Sequence, residues 1–292
     1  MGLHGNERNG WEAIRNAMAK MTGGNQRRPL LLMVFNAWNL RRGTRGVPDP
    51  NRIWNSQSPA VVRVRGYLRS VKPQFVIDLH ACEGQHPVVS IIRSHDPDTL
   101  ALARFIGCPV IQTDLRGTLG GDLGPALGVP SLTVELGLFD DPAGIQFGSR
   151  LIRKSLSGSF PHASARPSKE RAEPKNPTLY RVTGSIRVRN GVRFAFAPDP
   201  NADVIFRADI DRLANLKRVP KGTALGIAMN ASVKKPLAVN IGGRRQPFAD
   251  WFEIRTNGKL VTRRPWTGLF ACADAAYVKN EALSFIIEPE LP

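Results

Sequence analysis

Apolar residues Trp11, Ile14 and Met18 recur at i, i+3 and i+7, which predicts an amphipathic helix over Gly10 to Lys20, ended by Gly23-Gly24-Asn25. The run Leu30 to Phe35 is continuously apolar instead, the pattern of a strand covered on both faces of a parallel sheet. Amphipathic spacing returns over Ala60 to Val71, followed by the strand Phe75 to His80 and a second strand over Val88 to Ile92. A helix is predicted over Thr99 to Ile106, then a flexible glycine loop, Gly117-Thr-Leu-Gly-Gly-Asp122. The apolar segment after Gly128 closes on Glu135-Leu-Gly137, and a helix from Pro142 to about Leu156 presents Ile145, Leu151, Ile152 and Leu156. Helix and buried strand alternate in the rhythm of an α/β fold. A strand would be expected ahead of His4, where only three residues stand, so either Met1 is not the natural start or this protein does without that strand.

The pattern changes after Leu156. Ser157 to Pro177 is rich in Ser, Pro, Lys and Arg and poor in large apolar residues, the composition of an exposed linker. Beyond it, Tyr180 to Val188, Val192 to Phe196 and Ala202 to Phe206 alternate as strands do, and Asn190-Gly191 predicts a tight hairpin between the first two. We therefore expect a catalytic domain over residues 1–158, a linker over 159–178, and a smaller, mostly antiparallel β domain over 179–292.

Composition narrows the class. With 292 residues, 42% of them hydrophobic, the chain can bury a sizeable core. No apolar run reaches the length of a membrane span, so no membrane partner is expected. Neither a signal peptide nor CxxC spacing among Cys82, Cys108 and Cys272 is present, which fits a reducing cytoplasm. The net charge of +17 attracts anions of any kind, but no block of like charge or interleaving of basic with aromatic residues appears. Nucleic acid is therefore not expected as a partner.

The candidate chemistry begins with His4-Gly5-Asn6-Glu7, an HxxE ahead of a helix. His and Glu at this spacing can turn to one metal ion, and a second imidazole would complete a His2Glu zinc set. His80, at the end of an apolar strand, is the best candidate for it. Glu135 likewise closes a buried strand, where a carboxylate is costly without a partner or a task such as general base. Arg45 and Arg52 with Asn51, in a Gly/Pro-punctuated loop, could bind carboxylates and polarise a carbonyl.

Taken in order, GxHGNE, the TR and DxNRIW segments, DLH and VELG resemble the succinylglutamate desuccinylase and aspartoacylase family, relatives of zinc carboxypeptidases. The resemblance implies a mixed sheet with helices on both faces plus the C-terminal β domain. It implies hydrolysis of the amide of an N-acyl amino acid, with one zinc per chain held by His4, Glu7 and His80, and Glu135 as general base. By the same likeness Arg45 stabilises the oxyanion, Asn51 and Arg52 hold the substrate carboxylate, and Asp49 supports them. The segment Asp274-Ala-Ala-Tyr277-Val-Lys-Asn-Glu281 resembles the family's stretch with a substrate-contacting tyrosine, so that Tyr277 would reach the zinc site.

The chain departs from the family pattern in three places. It has one residue fewer between TR and NR than the aspartoacylase pattern, the family's first strand is not expected in the three residues ahead of His4, and Gly120 stands where an arginine often binds the acidic side of the substrate. Arg116 could substitute for that arginine. Two other functions are compatible with the same residues: a carboxypeptidase-like peptidase, and a basic anion-binding protein with a degenerate site. The acyl group, the amino acid and any homo-oligomer are left open.

Overall fold

The computed structural model describes residues 7–21, 50–114, 119–157 and 177–290. The strand expected over Leu30 to Phe35 and most of the linker lie outside these residues. The chain divides into two compact units, Met1–Cys82 with Val88–Tyr180, and Glu83–Pro87 with Arg181–Pro292. The short loop after the strand that carries His80 thus belongs with the second unit.

In the first unit, helix α1 (Asn9–Ala19), α2 (Pro59–Val71), α3 (Pro97–Ile106) and α4 (Pro142–Leu156) accompany strands β1 (Val76–Cys82), β2 (Val89–Ile92), β3 (Val110–Gln112) and β4 (Ser131–Leu138). Three of the helices start alike. Ser58, Asp96 and Asp141 each place a side-chain oxygen on an early helical N–H, with proline as the next residue. That proline costs nothing, because its missing N–H would have had no helical partner there.

The strands run in the order β1-β4-β2-β3. β1 and β4 are parallel, β2 is antiparallel to β4, and β3 is parallel to β2, so the sheet is mixed. Leu79, Ile92, Leu132, Val134 and Leu136 point to one face and pack with α1, α3 and α4. The other face carries Asp78, His80, Thr133 and Glu135, by the twofold alternation of a strand. A second apolar cluster, Trp54, Val61, Leu68 and Leu123, joins α2 to the turns Leu119–Leu123 and Gly124–Leu127.

The apolar stripe expected for α1 is corrected. Its buried face is Gly10, Ala13, Ile14 and Ala17, while Trp11 and Met18 are 43% and 48% exposed. Small residues win that face because α4 lies close against it. A side chain at Gly148 would come within 2.8 Å of the Ala13 Cβ, and one at Gly144 would run into the Leu136 carbonyl. The helix-period count finds large residues, whereas this contact selects against them.

The second unit holds two sheets. One runs β11-β10-β5-β15-β14-β8 over Leu179–Val188 (β5), Arg218–Val219 (β8), Leu237–Ile241 (β10), Arg244–Gln246 (β11), Trp266–Leu269 (β14) and Ser284–Pro289 (β15). The other runs β12-β13-β9-β7-β6 over Phe194–Ala195 (β6), Val204–Phe206 (β7), Ala224–Ala228 (β9), Phe252–Ile254 (β12) and Lys259–Thr262 (β13). The pairs β11-β10, β10-β5, β15-β14, β14-β8, β12-β13, β13-β9 and β9-β7 are antiparallel, and β7-β6 is parallel. Ile186, Val204, Phe206, Leu225, Val239, Phe252 and Leu260 share one core.

The Asn190-Gly191 turn forms, with Gly191 at φ 83 and Val192 N–H bonded to the Arg189 carbonyl. It does not make the expected hairpin. Its flanking strands pair elsewhere, β5 with β10 and β6 with β7, because the phenylalanines of the second strand are drawn to Phe206. Local turn chemistry fixes the bend, and apolar partners decide the pairing.

Two glycine-to-alanine substitutions should have opposite signs in urea unfolding. Gly66→Ala, in α2 with open space around the new methyl, should stabilise the protein by about 0.5–1 kcal/mol. Gly144→Ala should destabilise it by about 1–3 kcal/mol, because the methyl meets backbone that cannot yield. A neutral Gly144→Ala would contradict the close packing of α4 on β4.

Candidate metal and acid-base site

Side chains that alternate on β1 and β4 create a polar patch on an otherwise apolar sheet. Asp78 and His80 are two apart on β1, opposite Thr133 and Glu135 on β4. In a parallel pair such partners share a face, about 4.8 Å apart. Asp78 and His80 are 1% and 4% exposed, which makes their charges expensive without close partners.

Those partners are present. His80 Nδ1 lies 2.7 Å from Glu7 Oε2, and His80 Nε2 lies 2.8 Å from Asp78 Oδ2. Asn51 Nδ2 stands 3.5 Å from the same Nε2, and the Thr133 hydroxyl donates to Asp78 Oδ2 at 3.5 Å. Glu7 Oε2 also accepts the Ala81 N–H at 3.3 Å. Burial pushes the His80 pKa down, but the two carboxylates outweigh it and raise it well above the usual imidazole value. Burial pushes the Asp78 carboxyl up, and the neighbouring imidazole outweighs that and holds it below the usual carboxylate value.

Elements outside the sheet hold these groups in place. Asn9, fully buried at the start of α1, donates to the Leu138 carbonyl at 2.9 Å and accepts the Asp140 N–H at 2.7 Å. This clasp binds the segment of Glu7 to the carboxyl end of β4. The Arg65 guanidinium donates to the Trp54 and Ser56 carbonyls at 2.6 Å each, and Trp54 is buried beneath. Together they fix the 3-10 turn Pro50–Arg52, from which Asn51 reaches His80.

Of the residues expected from the sequence, Glu7, His80 and Asn51 are in contact, and Glu135 stands beside His80 in strand register. Arg52 is exposed and donates to the Asn51 carbonyl at 2.9 Å. Tyr277 is half-buried in the second unit, in the helix Ala275–Asn280, packed against that unit's core. His4, Arg45, Asp49 and Arg116 lie outside the described residues. Among the described residues no group of three His, Cys, Asp or Glu side chains is arranged to hold a metal.

Sequence reasoning gave Asp78, Asn9 and Arg65 no role. Asp78 could have been found, since a carboxylate inside an apolar strand raises the same question as Glu135. Nothing in the sequence marks Asn9, whose partners are the Leu138 carbonyl and the Asp140 N–H, or Arg65, whose partners are the Trp54 and Ser56 carbonyls. Gly120 proves to be a steric requirement: any side chain there would collide with Thr133, and the Ser131 hydroxyl holds its carbonyl at 2.7 Å.

A nitrogen and a carboxylate oxygen facing each other, with the second ring nitrogen fixed by another carboxylate, is a donor set that suits zinc. The arrangement can also move protons, since Glu135 adjoins it.

No family model and no curated protein sequence matches this chain. Solved structures do. A succinylglutamate desuccinylase/aspartoacylase from Rhodobacter sphaeroides matches at TM-score 0.63 and 16% identity, over 99% of this chain and 84% of that one. Murine aminoacylase 3 matches at 0.58 and 15%, over 99% and 93%. The ectoine utilization protein EutE (DoeB) from Ruegeria pomeroyi matches at 0.59 and 12%, over 98% and 82%. At such identities the likeness is one of architecture, and it bears out the mixed α/β fold expected from the motifs: this chain has the fold of the succinylglutamate desuccinylase and aspartoacylase structures.

Proposed function

We propose that this protein is a zinc-dependent amidohydrolase that cleaves the amide of an N-acyl amino acid. The observation that carries this reading is the 2.7 Å approach of His80 Nδ1 to Glu7 Oε2, with Glu135 in register beside them. The names of the similar structures, a desuccinylase/aspartoacylase and an aminoacylase, support a deacylase. The ligands would be Glu7, His80 and His4. Bound zinc would lower the pKa of a coordinated water towards about 7.

The protein's own groups supply the rest. Glu135 accepts a proton from the attacking water and returns it to the leaving nitrogen. Asp78 holds the His80 ring so that Nδ1 faces Glu7. Asn51 and Arg52, on their turn, would meet the substrate carboxylate, with Arg116 as a further contact and Asp49 in support. Arg45 would face the oxygen that becomes negative, where a preorganised charge is worth most.

Glu135→Gln should lower the release of free amino acid from N-acyl amino acids by about 100-fold or more while one zinc per chain remains bound. Unchanged turnover would refute the base assignment, and cleavage of dipeptides in preference to N-acyl amino acids would favour a peptidase.

The charges around His80 also set a pH dependence in protein stripped of metal with EDTA. His80 has a raised folded pKa, so its contribution is complete below the unfolded value of about 6.5 and is lost as pH rises through the folded one. Asp78 has a lowered folded pKa, so its contribution is present above about 3.9 and lost as pH falls through the folded value. Urea unfolding should therefore show stability falling from pH 5.5 to 8.5. Asp78→Asn should cost about 3 kcal/mol at pH 5.5 and flatten that fall. An equal pH dependence in both proteins would contradict the pairing.

A further inference from the structure

The hydrolase reading leaves the net charge of +17 without a task. In the sequence the basic residues are dispersed, yet the second unit gathers some of them. Segments 179–198 and 231–249 contain eight basic residues and no acidic one. β10 lies between β5 and β11, so these two distant segments form one three-stranded ribbon. Arg181 is paired with Glu290 and Arg193 with Asp203. The other six, Arg187, Arg189, Lys234, Lys235, Arg244 and Arg245, make no ion pair among the described residues. All but the half-buried Arg187 are exposed.

Register fixes where they stand. Arg187 is opposite Ala238, while Ser185, Asn240 and Arg245 align across the three strands, so Arg187 and Arg245 share the face that turns away from the core. Arg189 continues β5 by bonding its N–H to the Pro236 carbonyl at 2.9 Å, and its guanidinium reaches the Lys235 carbonyl at 3.4 Å. That places Arg189 beside Lys234 and Lys235 at one end of β10, with Arg245 at the other, about 17 Å along a five-residue strand, while Arg244, opposite Ile241, turns to the core side of the sheet. Arg187 donates to the backbone carbonyl of Glu281 at 3.1 Å, which steadies its side chain. Protection of a sheet edge would account for Arg244 and Arg245 on β11 but not for the cations of β5 and the loop before β10.

From this arrangement we infer that the β5-β10-β11 ribbon binds the phosphate backbone of nucleic acid without regard to base sequence. Between the cations the face offers Ser185, Ala238 and Asn240. It has no aromatic ring there to stack on bases, no apolar centre for a protein interface and no apolar side to enter a membrane. A row of cations, three of them guanidinium forks that match phosphate, needs none of these.

The test is fluorescence anisotropy of a labelled 20-base-pair duplex against the full chain at 50 to 200 mM salt. Five phosphate contacts predict a slope of log affinity on log salt of about −4.5. Replacing Arg189, Lys234, Lys235 and Arg245 by Gln should bring it to about −1, with the urea midpoint unchanged because all four are exposed. Replacing Arg63 and Arg69, exposed on α2, by Gln should leave the slope as it was. Failure to bind the duplex at 50 mM salt, an unaltered slope in the four-fold variant, or retention only on phosphatidylserine vesicles would overturn the inference. None of these results bears on the hydrolase site, which is read separately from zinc content.

Discussion

One imidazole between two carboxylates is the constraint on which this structure rests. His80 sits in the interior with Glu7 on one ring nitrogen and Asp78 on the other, 2.7 and 2.8 Å away. Isolated, any of these groups would be costly to bury; together they cost far less, and each fixes the others' geometry. Much of the first unit can be understood as what keeps that trio assembled. Asn9 clasps the segment of Glu7 to the end of β4, and Arg65 with Trp54 holds the turn that brings up Asn51.

The trio also explains the polarity of the sheet. One face is aliphatic and lies under α1, α3 and α4, while the other carries Asp78, His80, Thr133 and Glu135 on adjacent parallel strands. Parallel register sets Glu135 beside His80 through backbone pairing alone. The glycine turn at 119–123 packs so tightly on Thr133 that Gly120 has no room for a side chain. An arginine could not take that position without moving the turn, so its absence belongs to this packing as well as to any difference in substrate.

Much of the fold could be read from periodicity and punctuation. The apolar runs leading to His80 and Glu135 betray β1 and β4, which continue past these residues to Cys82 and Leu138, and Ser58-Pro, Asp96-Pro and Asp141-Pro mark helix starts. The misreadings share a cause. Trp11 and Met18 suggested the buried stripe of α1, and Asn190-Gly191 a hairpin, because a local pattern says nothing about the partner; α4 demanded small residues, and Phe206 drew the following strand to another sheet. For the site, residue types pointed to Glu7, His80, Asn51 and Glu135, whereas Asn9 and Arg65 were hidden, because their bonds are to backbone groups that no local pattern marks. The basic ribbon was illegible for a related reason: its segments, 179–198 and 231–249, are separated by 32 residues and meet only through strand pairing.

The central claim is that Glu7 and His80 share a metal ion, and crystals of the purified protein measured on either side of the zinc absorption edge test it most directly. The account predicts one anomalous peak per chain, about 2.0–2.2 Å from a Glu7 carboxylate oxygen and from His80 Nδ1, with Asp78 still bonded to Nε2. A zinc-loaded crystal with no peak there, or with the ion on Nε2, would contradict it.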